Sequence, residues 1–251
     1  MMLNNVSTTY TADNVNRYTA TNAQSPTYDA DGNMITYNGM TFGWDGENRL
    51  VSVTGGGSIP DEYTYSYDYA NRRIREYHVE YMYDSNGGAP IIQNSDDQYL
   101  VYDGWNLIEE FAKTGTSTYT RNKWYVWGED LSGTLQGAGG VGGLLYCDSG
   151  AGVAMPIYDV RGNIMHYINP GGEVAGYTYD AFLNRLSTSG NADSYRFQAS
   201  TKSYNAQLGM LDYQLRTYLP SLGRWIQEDP IEEQGGVNLY GFVNNNPVRI
   251  I

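Results

Sequence analysis

Cysteine is all but missing from this 251-residue chain: Cys147 is the one thiol. That excludes an internal disulfide framework and any structural zinc site built on paired cysteines. Histidine is nearly as scarce. His78 and His166 lie far apart, outside any metal-like cluster, and read as ordinary strand residues. No metal and no cofactor is expected. Basic residues are few as well: 15 Lys and Arg stand against 28 Asp and Glu, a formal charge of −13. A nucleic-acid surface needs Lys and Arg to replace condensed counterions, so nucleic acid is not an expected partner. The plain reading of the charge is a solvated acidic surface; the sharper one is a face turned towards a basic partner or cargo. Long apolar runs are also absent, and nothing approaches the roughly 20 apolar residues that span a bilayer as a helix. The opening MMLNNVSTTYTADN has neither the basic start nor the apolar stretch of a signal peptide. Localisation stays open between a cytoplasmic fragment and part of a longer exported protein.

What is plentiful is tyrosine, 25 residues against five phenylalanines, together with 30 glycines. An apolar ring with a polar tip suits half-buried sheet surfaces, and many glycines mean many tight turns. The first inference is an all-β chain of short antiparallel strands. From Tyr28 the sequence counts them out. Asp31-Gly32-Asn33 turns, Met34–Tyr37 runs as a strand, and Asn38-Gly39 reads as a two-residue loop whose central positions need positive φ. Met40–Trp44 returns, Gly46-Glu47-Asn48 turns, and 49–53 makes the next strand. A hairpin is expected over 111–126 about Thr114-Gly115-Thr116. Thr54-Gly-Gly-Gly-Ser58 and residues 84–97 read as loops. No window carries a sustained apolar pattern at helical spacing; at most 208–215 forms a helical turn or two.

The turn chemistry repeats. An aromatic, an Asp, a short turn, an Asn and then an aliphatic or basic residue recur from Tyr28, Trp44, Tyr67, Tyr102, Tyr158 and Tyr179. The aromatic ends a strand, the Asp bonds backbone N–H groups, the Asn tolerates left-handed φ, and the next residue starts the returning strand. The glycine-rich stretch 125–145 is no nucleotide loop. Gly143 is followed by Leu144-Leu145 rather than Lys and Ser or Thr, and Tyr146-Cys147-Asp148-Ser149-Gly150 supplies no helix with an apolar stripe.

The six repeats resemble the tyrosine-aspartate units of the bacterial Rhs (YD-repeat) family. The C-terminal stretch resembles that family's repeat-associated core. It carries Ser203-Tyr204-Asn205-Ala206-Gln207-Leu208-Gly209, then Leu215-Arg216-Thr217-Tyr218-Leu219-Pro220-Ser221-Leu222-Gly223-Arg224-Trp225, then Asp229-Pro230-Ile231 and Asn245-Asn246-Pro247. The resemblance implies a curved, spiralling antiparallel sheet, part of a hollow β-shell, with 125–145 in its wall. It divides the chain into an N-terminal segment (1–24), a repeat sheet (25–194) and a core (195–251). Alone, the piece is expected as an open sheet with an exposed concave face and edges prone to self-association. The partners implied are the remainder of a longer shell or a toxin cargo.

In that family the core acts as an intramolecular aspartyl protease that frees a C-terminal toxin. Two carboxylates sharing a proton would do this, one as base and one as acid. Asp229 matches the first of the two, and Arg224 matches the basic residue of the preceding Gly-Arg element, a supporting position. The second Asp is expected just beyond Ile251, where the sequence stops. Glu228, Glu232 and Glu233 adjoin Asp229 without thereby facing it. Tyr218-Leu219-Pro220 departs from the family's Tyr-Asp-Pro, and Glu228 from its polar or basic residue. The reading is therefore a non-enzymatic structural segment of a toxin-encapsulating shell. A residual autoprotease is the alternative. A carbohydrate- or cell-surface-binding β-domain is the second, since tyrosine faces stack on sugar rings; a Ser-His-Asp hydrolase finds no Gly-x-Ser-x-Gly elbow in the sequence.

Overall fold

The computed structural model describes residues 9–21, 24–55, 61–82 and 90–247. Its body is a 14-stranded antiparallel sheet in which every strand pairs with its neighbours in sequence. The first half comprises β3 (Thr27–Tyr28), β4 (Met34–Tyr37), β5 (Met40–Trp44), β6 (Leu50–Thr54), β7 (Asp61–Tyr67), β8 (Arg73–Met82) and β9 (Ile91–Asp103). It continues through β10 (Asn106–Lys113), β11 (Tyr119–Trp127), β12 (Leu144–Asp148), β13 (Val153–Tyr158), β14 (Ile164–Asn169), β15 (Gly172–Tyr179) and β16 (Arg185–Gly190). A separate hairpin, β1 (Tyr10–Ala12) with β2 (Tyr18–Thr21), precedes it. A four-stranded sheet follows: β17 (Ser203–Asn205), β18 (Met210–Asp212), β19 (Thr217–Leu219) and β20 (Arg224–Trp225). The expected all-β antiparallel meander is what the chain forms. Asn38 and Gly39 have φ of 50° and 78°, as the two-residue loop requires. His78 lies in β8 and His166 in β14. Among the described residues no helix is long and apolar enough to cross a membrane.

The repeat turn has one backbone plan. The Asp N–H donates to the carbonyl of the fifth residue, and the fourth residue's N–H returns to the Asp carbonyl, in the turns starting at Asp29, Asp45, Asp68, Asp159 and Asp180. One Asp carboxylate oxygen accepts the N–H of the third and fifth residues, as Asp68 does from Ala70 and Arg72 at 2.9 and 3.0 Å. The fourth residue carries positive φ. It is Asn in two of these turns (Asn48, Asn71), but Gly32, Gly162 and Leu183 in the others. There the Asn sits fifth and its side-chain amide donates to the Asp instead, as Asn33 does to Asp29 at 3.0 Å. Where Asn is fourth, an Arg takes the fifth place, and Arg72 Nε donates to Asp68 at 2.8 Å. Asn thus has two jobs in the repeat, of which the sequence pattern showed one.

Two further turns share the plan, at Asp13 and Asp130. Asp13-Asn14-Val15-Asn16-Arg17 could have been found by its match to Asp45…Asn48-Arg49. Tyr102-Asp103 departs from it: Asp103 pairs with Asn106 across a two-residue turn of Gly104 and Trp105.

The repeat aromatics explain the preference for tyrosine over phenylalanine. After each of these Asp turns a bulge breaks the ladder; Tyr67 pairs with Arg73, for example, and the register then shifts. A bulge leaves main-chain groups unpaired. A carbonyl at or next to the start of a returning strand is taken by an aromatic at the end of a later strand. Trp44 Nε1 donates to Met34 O at 2.8 Å, Tyr67 Oη to Leu50 O at 2.6 Å and Tyr102 Oη to Arg73 O at 2.8 Å. Trp127 Nε1 reaches Leu107 O at 2.7 Å, Tyr158 Oη reaches Leu144 O at 2.6 Å and Tyr179 Oη reaches Ile164 O at 3.1 Å. Each repeat is pinned to the one before it.

Four expectations are corrected. Residues 91–97, read as loop because they are polar, belong to β9. They are mostly exposed, so polarity there marks a solvated strand; residues 84–89 of that reading lie outside the described residues, as does most of the 54–58 loop. Residues 208–215 form no helical turn: Met210–Asp212 is β18, and Gly209, at φ 66°, turns into it. The wall segment 125–145 is sheet only at its ends. Between Trp127 and Leu144 the chain folds back on Asp130, whose carboxylate accepts N–H groups of Ser132, Ala138 and Gly140.

Finally, among the described residues the inner face is covered at both ends of the sheet rather than left open. Met34, Phe42, Leu50, Val53 and Tyr65 pack against Leu208, Met210, Leu219 and Ile226 of the C-terminal segment. At the other end Tyr125, Tyr167 and Tyr177 pack with Tyr195 and Phe197. The C-terminal segment fills the face that the strands turn inward.

Tyr158→Phe removes only a hydroxyl and leaves the Leu144 carbonyl without its donor. Chemical denaturation is expected to show a loss of about 1–3 kcal/mol with an unchanged m-value. A loss comparable to that of a neutral exposed substitution would disprove the pinning role.

Candidate functional site

The C-terminal segment is held to the sheet by buried charge. Arg196, between Tyr195 and Phe197 of the inner core, uses all of its N–H groups. Its Nε and Nη2 donate to Glu110 at 2.7 and 2.9 Å, its Nη1 and Nη2 to Glu76 at 3.1 and 2.8 Å, and its Nη1 to Ser203 Oγ at 3.0 Å. Glu110 also accepts a short bond from the Tyr125 hydroxyl. Arg73 makes the second clamp. It lies over the Tyr65 ring at 3.8 Å and donates through both Nη atoms to Asp212 of β18, at 2.5 and 3.0 Å. Glu76 of β8 and Glu110 of β10 lie on the inward side. Arg73, three residues before Glu76, joins them there because a bulge at the start of β8 interrupts the alternation, and the bends around Arg196 and β18 bring the counter-charges to them.

The electrostatics follow from burial and partners. Burial works to raise the Glu76 carboxyl, but the guanidiniums of Arg196 and Arg73 outweigh it and hold it at about 2. Glu110 is likewise lowered, burial opposing and Arg196 and Lys123 prevailing. Asp212 goes the other way: burial raises it by more than Arg73 recovers. Three carboxylates and two arginines in one buried cluster leave its balance dependent on every member.

A cavity of about 230 Å³ adjoins the cluster, between β6–β11 and the C-terminal segment. Exposed Glu47, Asn48, Leu215 and Pro230 lie at its rim. Asp229 therefore stands next to a rim residue. Its Oδ2 accepts from Arg216 Nη1 at 2.7 Å, and its Oδ1 from the Ile231 N–H at 3.2 Å. Burial lowers the Arg216 guanidinium, which sits 4.2 Å over Trp225. Among the described residues the charged group bonded to Asp229 is this guanidinium, not a second carboxylate.

Arg224, the other residue singled out from sequence, is not bonded to Asp229. It is buried, stacked 3.8 Å over Tyr18 and 5.1 Å from the Tyr240 ring, and reaches Asn238 at 3.4 Å. Its Nε and Nη1 have no hydrogen-bond partner, and burial lowers it. Glu228 accepts instead from the Tyr240 hydroxyl, at 3.0 Å. Sequence reasoning missed Arg73, Glu76, Glu110, Arg196 and Asp212. A charged residue at an inward strand position was the available signal for Glu76; Arg73 joins it only through the bulge at the start of β8, which alternation does not show.

No family model matches the chain. Over 241 residues, 93% of its length, it is 27% identical to the tRNA3(Ser)-specific nuclease WapA of Bacillus spizizenii, and equally to the tRNA nuclease WapA of Bacillus subtilis. A double-stranded DNA deaminase toxin A of Burkholderia cenocepacia is 25% identical over 237 residues. Among solved structures, TcdB2-TccC3-TEV superposes with a TM-score of 0.67 at 19% identity and covers 97% of the chain. The chain shares the fold of part of TcdB2-TccC3-TEV. It spans 9% of the WapA proteins, 16% of the deaminase toxin and 13% of TcdB2-TccC3-TEV, so it matches a small part of much longer toxin proteins.

Arg196→Ala strands two buried carboxylates and is expected to cost about 3–5 kcal/mol, whereas Arg121→Ala, at an exposed pair with Glu109, should cost under about 1 kcal/mol. Equal costs in urea denaturation would remove the clamp. Because Glu76 is lowered from 4.5 to about 2, its contribution is complete above pH 4.5 and drains away as pH falls towards 2. Glu110 acts in the same sense, and Asp212, being raised, opposes them. Stability is expected to fall on acidification through that window, and Glu76→Gln to flatten the fall.

Proposed function

We propose that this chain is a structural, non-enzymatic segment of an Rhs-type toxin shell, in which the repeats form wall and the C-terminal segment is docked against its inner side. The observation that carries the reading is the Arg196 and Arg73 clamp, which commits the C-terminal segment to the sheet through buried charge. The relatives supply the context: the chain aligns with parts of WapA nucleases and of a deaminase toxin, and shares its fold with part of TcdB2-TccC3. A segment anchored in this way is suited to frame a compartment for a cargo carried elsewhere in a longer protein. The division into a repeat sheet over 25–194 and a core from 195 belongs to this proposal, as does pairing of the sheet edges with further shell or with another copy.

The autoprotease alternative assigns Asp229 a proton-sharing partner. Among the described residues Asp229 is paired with the Arg216 guanidinium and not with a second carboxylate, the surroundings of a structural charge. The decisive experiment extends the chain beyond Ile251 with an Asp-Pro-containing tail and a folded reporter. The structural reading expects an uncut product, with Asp229→Asn indistinguishable from the parent on a gel. Cleavage that Asp229→Asn abolishes would establish the enzyme and overturn the structural reading.

A further inference from the structure

The cavity beside the clamp is lined by cations in a chain whose formal charge is −13. Arg49, Arg72, Arg73, Arg196, Lys202 and Arg216 line it, against the carboxylates of Glu47, Glu76 and Asp212. Five of the six cations are committed. Arg49 is paired with Asp45, Arg72 with Asp68, Arg73 with Asp212, Arg196 with Glu110, and Arg216 with Asp229. Lys202 differs. It is 7% exposed, and its ammonium donates to the Gly139 carbonyl at 2.5 Å. Among the described residues no carboxylate lies within ion-pair range of it. An ammonium has three N–H groups to place, and a buried charge without a counter-ion is costly. Burial accordingly lowers Lys202 to about 8, with only a distant attraction from Asp130 set against it.

The walls near Lys202 are aromatic. Its nitrogen is 5.5 Å from the Tyr213 ring, and Trp127 and Phe197, edge to face at 5.0 Å, line the same cavity. Tyr102 adds a further ring. An apolar cavity of about 150 Å³ holds benzene, so 230 Å³ has room for a molecule of one substituted ring. Gln214 and Gln227 contribute amides to the lining. This combination is a concave site with aromatic walls and a few convergent polar groups.

We propose that the cavity binds a small ring-bearing organic anion, a carboxylate or phosphate ester, with Lys202 as its counter-cation. The ligand's charge supplies what the lysine lacks, and its ring takes the aromatic wall. The exposed rim at Asn48, Leu215 and Pro230 gives the route in. The site is independent of cleavage at Asp229 and of any cargo.

The test uses the whole chain with glucose 6-phosphate, benzoate and inorganic phosphate, and with glucose as the neutral control, at constant ionic strength. Calorimetric titration is expected to show saturable binding of a ring-bearing anion and none of glucose. Lys202→Gln should weaken that binding about tenfold or more, the loss of one charge-assisted hydrogen bond, while Lys202→Arg retains most of it. Should Lys202→Gln fail to fold, Leu215→Glu, at an exposed rim position, places a like charge at the mouth and is expected to weaken binding severalfold. Absence of saturable binding of either ring-bearing anion overturns the proposal. So does binding by inorganic phosphate alone, or equal affinity in the folded variant.

Discussion

Arg196 is the interaction on which the rest of the molecule depends. It lies in the segment that leaves the sheet after β16, and its partners lie on β8 and β10, far back in the sequence. Four of the five hydrogen bonds from one guanidinium tie the C-terminal segment to the middle of the sheet. A fully bonded fork of this kind has one geometry, so it fixes register as well as contributing energy. The cost is burial of Glu76 and Glu110, which are tolerable only while the arginine is there. Docking of the C-terminal segment and charge balance in the inner face are therefore the same event.

The sheet itself is built by a different economy. Each Asp turn closes locally through its own backbone and carboxylate, and each bulge releases a carbonyl that the next repeat's tyrosine or tryptophan takes. Neighbouring repeats thus add to one another without long-range information, as in other quasi-linear repeat architectures. Such a sheet would present its inward row to solvent unless something covered it. Here the C-terminal segment does so, and it brings with it the cavity, Lys202 and the rim on which Pro230 sits.

Much of this was readable from the residues. The aromatic–Asp–turn–Asn pattern gave the hairpins, because turn chemistry is local and the side chains that make a turn are adjacent in sequence. Where the reading failed, a local signal was ambiguous or a non-local one was needed. Residues 91–97 look like loop because an exposed strand in a long hairpin has no apolar face to show. Tyr102-Asp103 matches the repeat by letter and spacing but closes a shorter turn, in which Asn106 pairs directly with Asp103. Asp229 and Arg224 were noticed as neighbours in a motif. The chain instead gives Asp229 to Arg216 and Arg224 to two tyrosine rings, partners that no spacing rule names.

The sequence alone therefore determined the class of the protein: antiparallel strands in chain order, with no internal disulfide and with tyrosine rings suited to half-buried strand surfaces. These are consequences of φ preferences, hydrogen-bond inventory and alternation, all of which act over a few residues. Only the tertiary structure decided that the inner face is covered, that Arg196 and Arg73 clamp the covering segment in place, and that Lys202, beside a cavity, has no carboxylate in ion-pair range among the described residues. Those outcomes arise between residues far apart in sequence: Arg73 and Asp212 are 139 positions apart. Burial, which sets the cost of each charge, is a property of the assembled chain and not of any segment of it.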